Sequence, residues 1–198
     1  MKTVLILTAL MVGFLLSACT TSPAVQYYIL EPISAPSPAA AENNSRRTIG
    51  IGPLTVPTLL ESKKIVTRLT DNTVQIAQFH QWASPLQDNL LQTLTRNLSI
   101  LQPDAVVRAY PWSGYGSVDL QIVIDIVRFD ASPGKSVNLE ADWTIKNEKT
   151  NTVLKTGHSV INQPCTSSSY PDTVHALSLI LGKFSEELSV VLDGIGHI

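Results

Sequence analysis

The chain has little with which to do chemistry. Its 198 residues hold two cysteines, Cys19 and Cys165, and four histidines. Two cysteines cannot build a disulfide framework of the kind that staples small secreted domains. His80, His158, His175 and His197 never recur at metal-ligand spacing, and no C-x-x-C pair is present. Neither a metal nor a cofactor is therefore expected. "GIG" at 50–52 does not extend to the G-x-G-x-x-G of a dinucleotide site. "WSGYGS" at 112–117 is no nucleophile elbow. Asp119 and Asp125 share a strand face but stand roughly 20 Å apart at the rise of a β-strand, too far for paired carboxylate catalysis. These absences argue against an enzyme. They do not exclude one assembled from scattered residues.

Charge is scarce as well. Lys and Arg total 14 against 16 Asp and Glu, for a net charge of −2. Arg46-Arg47 and Lys63-Lys64 are the only adjacent basic pairs, so a nucleic-acid surface has no electrostatic footprint. Only one apolar run stands out, at residues 4–16. It is shorter than the roughly 20 residues that span a bilayer.

That run has a use. It follows Lys2 and matches the charged n-region and apolar h-region of a secretory signal. It ends in Leu16-Ser17-Ala18-Cys19, which resembles the bacterial lipobox: a branched apolar residue, two small residues, then cysteine. An ordinary signal peptide wants an A-x-A-like site, and these residues fit that poorly. The expected product starts at Cys19, with a diacylglycerol on its sulfur and an acyl chain, such as palmitate, on its nitrogen. Three chains at ~0.8 kcal/mol per buried methylene hold a protein on a membrane for good. Thr20, not Asp, follows the cysteine, which favours the inner leaflet of the outer membrane, facing the periplasm. Residues 1–18 are then the signal peptide and 19–26 the lipidated end and tether. At ~3.3 Å per residue, residues 20–26 reach no more than roughly 25 Å. With Cys19 acylated, Cys165 has no partner within the chain. In "NQPCTSSSYPD" it reads as a loop thiol, either free or, less simply, bridging to another molecule.

Residues 27–198 are long enough for one domain with a real core. "YYIL" at 27–30 reads as a short strand. Residues 34–47, small, Pro-rich and polar, read as a mobile loop. Residues 48–56 form a strand whose glycines and Pro53 suggest a bulge or an edge. Residues 65–69 and 73–79 form a hairpin about Asp71-Asn72. A helix follows, with Ser84 as N-cap, Pro85 at its first position, Gln87 completing a capping box, and Leu86, Leu90, Leu91, Leu94, Leu98 and Leu101 as one apolar stripe. Gln, Asn, Thr and Arg cover its other face. Strands are predicted at 105–110, 118–129, 138–146 and 153–161. In the second of these Val118 to Ile126 point to the core at every other residue, while Asp119 to Phe129 line the opposite, half-polar face. A last helix over 171–192 carries Val174, Leu177, Leu181, Phe184, Leu188 and Val191. That stripe suits a sheet, and its heptad-like spacing also permits an oligomer seam. The fold class is α+β: a single domain, a mostly antiparallel sheet, and two main amphipathic helices packed on one face.

The most site-like stretch is the aromatic loop Tyr110-Pro111-Trp112-Ser113-Gly114-Tyr115-Gly116. Tyr110, Trp112 and Tyr115 suit a partner surface or a lipid interface, or cap the edge of the core. Trp82, ahead of the first helix, is a fourth candidate contact, or a staple for that helix.

The order of the pieces carries a resemblance. A lipobox is followed by "YYIL", "IGIGPLTVPTLLESKKIVTR", "FHQWASPLQDNLLQTL" and "LQIVIDIVRFD" before a sheet hairpin. This resembles the PqiC/YmbA-like family of ABC-transport auxiliary lipoproteins, across essentially the whole mature chain. The resemblance implies a non-enzymatic outer-membrane lipoprotein. Such a protein works with an MCE-domain protein whose periplasm-spanning tube carries phospholipids between membranes. A ring-like homo-oligomer docking the tube's outer end is also implied. Only Cys19 carries over with a definite chemical role. Against this stand a free-standing periplasmic hydrolase and a purely structural envelope lipoprotein.

Overall fold

The computed structural model describes residues 23–34, 47–114 and 116–195. Cys19, Tyr115, His197 and nearly all of the 34–47 loop fall outside the described residues. Among the described residues, eight strands form one sheet: β1 (Gln26–Tyr28), β2 (Arg47–Thr55), β3 (Lys64–Thr70), β4 (Thr73–Trp82), β5 (Ala105–Ala109), β6 (Leu120–Ser132), β7 (Ser136–Asn147) and β8 (Thr152–Pro164). Two long helices accompany it, α1 (Leu86–Leu101) and α2 (Tyr170–Ile195), with a 3₁₀ turn at Thr58–Leu60. The α+β architecture is as expected from the sequence.

The sheet is organised around β6. On one side lies the antiparallel meander β6–β7–β8, whose ladders are the longest in the molecule. On the other side β6 has two neighbours. Its first half pairs in parallel with β2, from Ile49 opposite Leu120 to Thr55 opposite Asp125, and β5 adds outside β2. Its far end meets β3 in parallel at Thr67 and Ala131. The β3–β4 hairpin follows, and β1 pairs in parallel with the end of β4. The sheet thus forks into a β2–β5 prong and a β3–β4–β1 prong.

A bulge at Val127 accompanies the fork. Ile126 faces Ala141, but Arg128 faces Glu140, so Val127 is one residue too many. An extra residue flips every side chain beyond it to the opposite face. Phe129 therefore turns inward and is buried with Ala131, contrary to the polar-face position read from strict alternation. Up to Ile126 the alternation holds, and Val118, Leu120, Ile122, Ile124 and Ile126 are all core.

The helices cover the inner face of β2, β5, β6, β7 and β8. Leu86, Leu90, Leu91, Leu94 and Leu98 of α1 are buried there, each worth about 1.5–3 kcal/mol relative to exposure. The N-terminus of α1 differs from the capping-box expectation. Pro85 itself takes the N-cap position with φ −48° and ψ 135°, and no side chain caps it. Gln87 instead donates its Nε2 to the Leu54 carbonyl of β2 at 2.7 Å, tying helix to sheet. The α2 stripe, Val174, Leu177, Leu181, Phe184 and Leu188, is buried in the same core. It is spent within the chain, which removes it as an oligomer seam.

The polar face expected for α1 is also partly wrong. Asn89, Thr93 and Asn97 are buried. They receive the chain that leaves β1. Leu30 N–H donates to Asn89 Oδ1 (3.2 Å) and Ile33 N–H to Asn97 Oδ1 (2.9 Å), while from α2 Ser178 Oγ accepts Glu31 N–H (3.1 Å). Asn97 also reaches Ser185 of α2 at 2.9 Å. Gly182 leaves room for Ile33, whose Cγ2 would stand 2.8 Å from any Cβ there. The segment after β1 is strapped between both helices, since an unpaired buried backbone group is costly.

Candidate contact surfaces

The aromatic loop is built on glycines. Gly50 alternates with the inward Ile49 and Ile51 and so lies on the outer face of β2, while Gly52 sits at its irregular end, where a Cβ would also come 3.6 Å from Leu91 of α1. A Cβ on Gly50 would stand 2.8 Å from the Trp112 ring, and one on Gly52 would stand 2.7 Å from Tyr110 Cβ. Gly52 also has φ +115°, open to glycine and strained for other residues. The bare backbone lets Tyr110 and Trp112 lie down on the sheet. Their rings meet edge to face, with centroids 5.3 Å apart and planes at 84°. Tyr110 N–H donates to Ile51 O (2.9 Å), and Gln121 Nε2 donates to Gly52 O (3.0 Å) beside the pair. Tyr110 stays 47% exposed and Trp112 is half-buried. The loop thus combines both readings: the aromatics cover sheet and still present a surface.

Trp82 is different. It is 3% exposed and belongs to the main core cluster, so it offers no surface for a partner or lipid. Its backbone N–H donates to Lys63 O at 2.7 Å, closing the base of the hairpin. The expectation that it makes an outside contact is corrected: the flanking Phe79 and His80 sit in a strand, which turns the indole inward. Tyr115 and Cys19 lie outside the described residues. Cys165 is buried just past β8, its Sγ 3.5 Å from Ser167 O, and is not placed to bridge to another molecule.

Polar groups are mostly tied in structural networks. Asp130 Oδ2 accepts Nε–H from both Arg68 and Arg128 at 2.9 Å, and its Oδ1 accepts from Asn138 at 3.0 Å. Burial works to raise its pKa, but the hydrogen bonds from Arg128, Arg68 and Asn138 outweigh that and hold it below the ordinary carboxylate range. Asp119 is likewise held low, first by Lys149 (2.6 Å) and then by the Thr48 N–H (2.8 Å). His80 stacks on Tyr170 with centroids 3.8 Å apart, and its Nδ1 lies 2.8 Å from the Tyr28 hydroxyl. Burial pushes both tyrosines' pKa up. His158 meets Asp142 (2.8 Å) and Glu140 (3.5 Å) on the outer face of the meander. Among the described residues, no group of three His, Cys, Asp or Glu side chains is arranged to hold a metal ion.

Several depressions mark the described surface: one of about 300 Å³ lies where Tyr27 and Ile29 meet Pro171 and Val174 of α2, and two more lie beside charged groups. One, about 490 Å³, lies between the strap and α2, with Glu31, Ile33, His175, Leu179 and Lys183 on its walls. The other, about 240 Å³, lies at the fork on the outer face, between Leu59, Val66, Val74 and Val127, with Arg68 and Arg128 beside Asp130. The sequence-stretches "IVTR" and "RFD" meet here through Asp130, although some 60 positions separate them. Nothing in the local pattern of either stretch announces that meeting.

These features define an α+β module whose most developed features, among the described residues, are contact surfaces. Comparison places it more closely. The chain belongs to the family of ABC-type transport auxiliary lipoprotein components, which it matches over residues 28–189. It is 25% identical over 133 residues to the intermembrane transport lipoprotein PqiC of Escherichia coli K12, covering 67% of this chain and 70% of that one. The fold is shared with the crystal structure of an uncharacterized protein, at TM-score 0.73 and 20% identity over 86% of this chain and 99% of that one. A Xanthomonas campestris protein is similar as well, at TM-score 0.67 and 20% identity, over 83% and 93%. Among the described residues no helix is long and apolar enough to cross a membrane.

Proposed function

We propose that this protein is an outer-membrane-anchored, periplasm-facing subunit of an intermembrane phospholipid transport system. In this reading it does no chemistry of its own. It docks the outer end of a periplasm-spanning MCE-domain protein, as a ring-like homo-oligomer matching that partner's symmetry. Membership of the transport-auxiliary lipoprotein family is the observation that carries the reading, and the similarity to an intermembrane transport lipoprotein supports it. Cys19 is the acylated residue. Tyr110 and Trp112 are the partner contact: amphipathic, partly exposed and rigidly seated on the Gly50–Gly52 floor.

Crosslinking in intact cells tests this. The tagged protein should co-purify with an MCE-domain protein, and Trp112→Ala should weaken recovery by about ten-fold if the indole is a hot spot worth ~1.4 kcal/mol or more. A Cys19→Ala protein that is released from membranes and still supports transport would overturn anchored docking. A native mass of a single subunit after detergent extraction would overturn the ring.

A further inference from the structure

The β3–β4–β1 prong carries an apolar outer face that the described elements cover only in part: Val66 is buried beside Leu59 and Leu60 of the 3₁₀ turn, while Val74, Ile76 and Tyr27 stay exposed. The register sets which side chains share it. Thr67 pairs with Ala131, which is buried on the helix side, so Thr67 points inward and its neighbours Val66 and Arg68 point outward. Opposite them stand Ile76 and Val74, on the same face. Tyr27, Gln81 and Lys64 form another row across β1, β4 and β3. Along β1 and its flanks, Tyr28 and Leu30 turn inward while Val25, Tyr27 and Ile29 stay exposed, the last two at the sheet edge beside Pro171 and Val174 of α2. Tyr27 is 66% exposed and Ile76 51%.

The charges on this face are mostly positive. Lys64, Arg68 and Arg128 lie among the apolar side chains. The two arginines share the single carboxylate of Asp130, and Glu61 and Asp71 stand only at the margins. Apolar and aromatic side chains interleaved with cations suit the boundary of an anionic phospholipid layer. The neighbouring meander face, with Glu140, Asp142 and His158 on its outside, does not.

Chain length points the same way. Gln26 is in register with His80, and β1 runs parallel to β4, so the chain reaches β1 from the side of the hairpin turn. Cys19 precedes Gln26 by as many residues as Thr73 precedes His80. At ~3.3 Å per residue this reach is roughly 23 Å, enough to bring the cysteine level with the turn and no further.

We infer that the outer face of the β3–β4–β1 prong rests on the phospholipid surface in which Cys19 is anchored, Val74, Ile76 and Tyr27 at the acyl boundary and Lys64, Arg68 and Arg128 among the phosphates. This rests on the lipid-anchor reading above. The groove of about 240 Å³ at the fork is smaller than sites that enclose whole ligands, about 300–1,000 Å³, which suits surface contact over extraction of a lipid.

The full acylated protein, reconstituted in vesicles of phosphatidylethanolamine and phosphatidylglycerol, tests it. A fluorophore is placed on Tyr27→Cys, Ile76→Cys or Val160→Cys; all three sites are exposed, and native Cys165 is buried. Nitroxide-bearing phospholipids should quench the labels at 27 and 76 by about two-fold or more if those side chains lie ~5–10 Å into the boundary. The label at 160 should not respond. Vesicle flotation with equal or absent quenching at all three sites overturns the face and leaves the anchor standing. Failure to float overturns both. Crosslinks between copies through position 76, without quenching, assign the face to a second subunit and overturn the proposal too.

Discussion

The two prongs share one strand and differ in what lies over them. The β2–β5 prong is covered on both faces: α1 and its leucines lie inside, and Tyr110 with Trp112 lies over Gly50 and Gly52 outside. The β3–β4–β1 prong is closed inside by Ile65, Ala77 and Trp82 but largely open outside, where Val74, Ile76 and Tyr27 face solvent and only Val66 is covered, beside Leu59 and Leu60. A sheet face made of β-branched and aromatic side chains is stable either way, because strand pairing and inner packing suffice. Covering one prong therefore builds the domain, while leaving most of the other open keeps a surface in reserve.

Breaking the covered prong should have the largest effect. Ile51 is 0% exposed, between α1 and β6. Ile51→Ala should cost about 2–5 kcal/mol, from the lost transfer energy and the cavity left behind. Denaturant unfolding followed by circular dichroism reads this directly. A loss below ~1 kcal/mol would mean that the β2–β5 prong is not part of the cooperative core.

The joint between the prongs comes next. Asp130→Asn removes the charge that Arg68 and Arg128 share and should cost about 1–3 kcal/mol at neutral pH, discounted because both arginines are partly solvated. The folded pKa of Asp130 lies below its unfolded value. Its contribution is therefore fully present above the unfolded value of ~3.9 and fades as pH falls through the folded one. Unfolding curves of parent and variant should stay apart above about pH 4, begin to converge below it, and meet only once pH has fallen past the folded value. A gap that stays constant with pH would assign the effect to packing and not to charge.

How much of this was legible in advance divides along the same line. Local signals announced the elements: the leucine stripe of α1, the alternation from Val118 to Ile126, the turn at Asp71-Asn72. What was not legible depends on partners far away in sequence. The bulge at Val127 shows only in the pairing of β6 with β7, where Ile126 faces Ala141 and Arg128 faces Glu140. Asn89 and Asn97 look like solvent-facing residues until the strap after β1, some 60 residues upstream, supplies the N–H groups that they accept. Ser84 lost the cap because Pro85 took that position and Gln87 found the carbonyl of Leu54. Tyr110 and Trp112 were legible as a site because aromatics beside glycines stand out in any window. The meeting of Arg68, Arg128 and Asp130 was not, since ion pairs across a sheet leave no periodic trace.

The smallest expected effect is the most telling for the open prong. Ile76→Thr keeps a β-branched side chain, so strand propensity is nearly unchanged. With Ile76 51% exposed, the change should move stability by less than about 0.5 kcal/mol, against several for Ile51→Ala. A surface residue selected only for folding would then be free to be polar, as Thr73 and Gln75 are on the same strand. If Ile76→Thr instead destabilised the isolated protein as much as a core change, the outer face would be packed against something within the chain, and the contrast between the prongs would collapse. A near-silent unfolding curve together with reduced membrane contact separates the two roles: Ile51 holds the fold, and Ile76 meets what lies outside it.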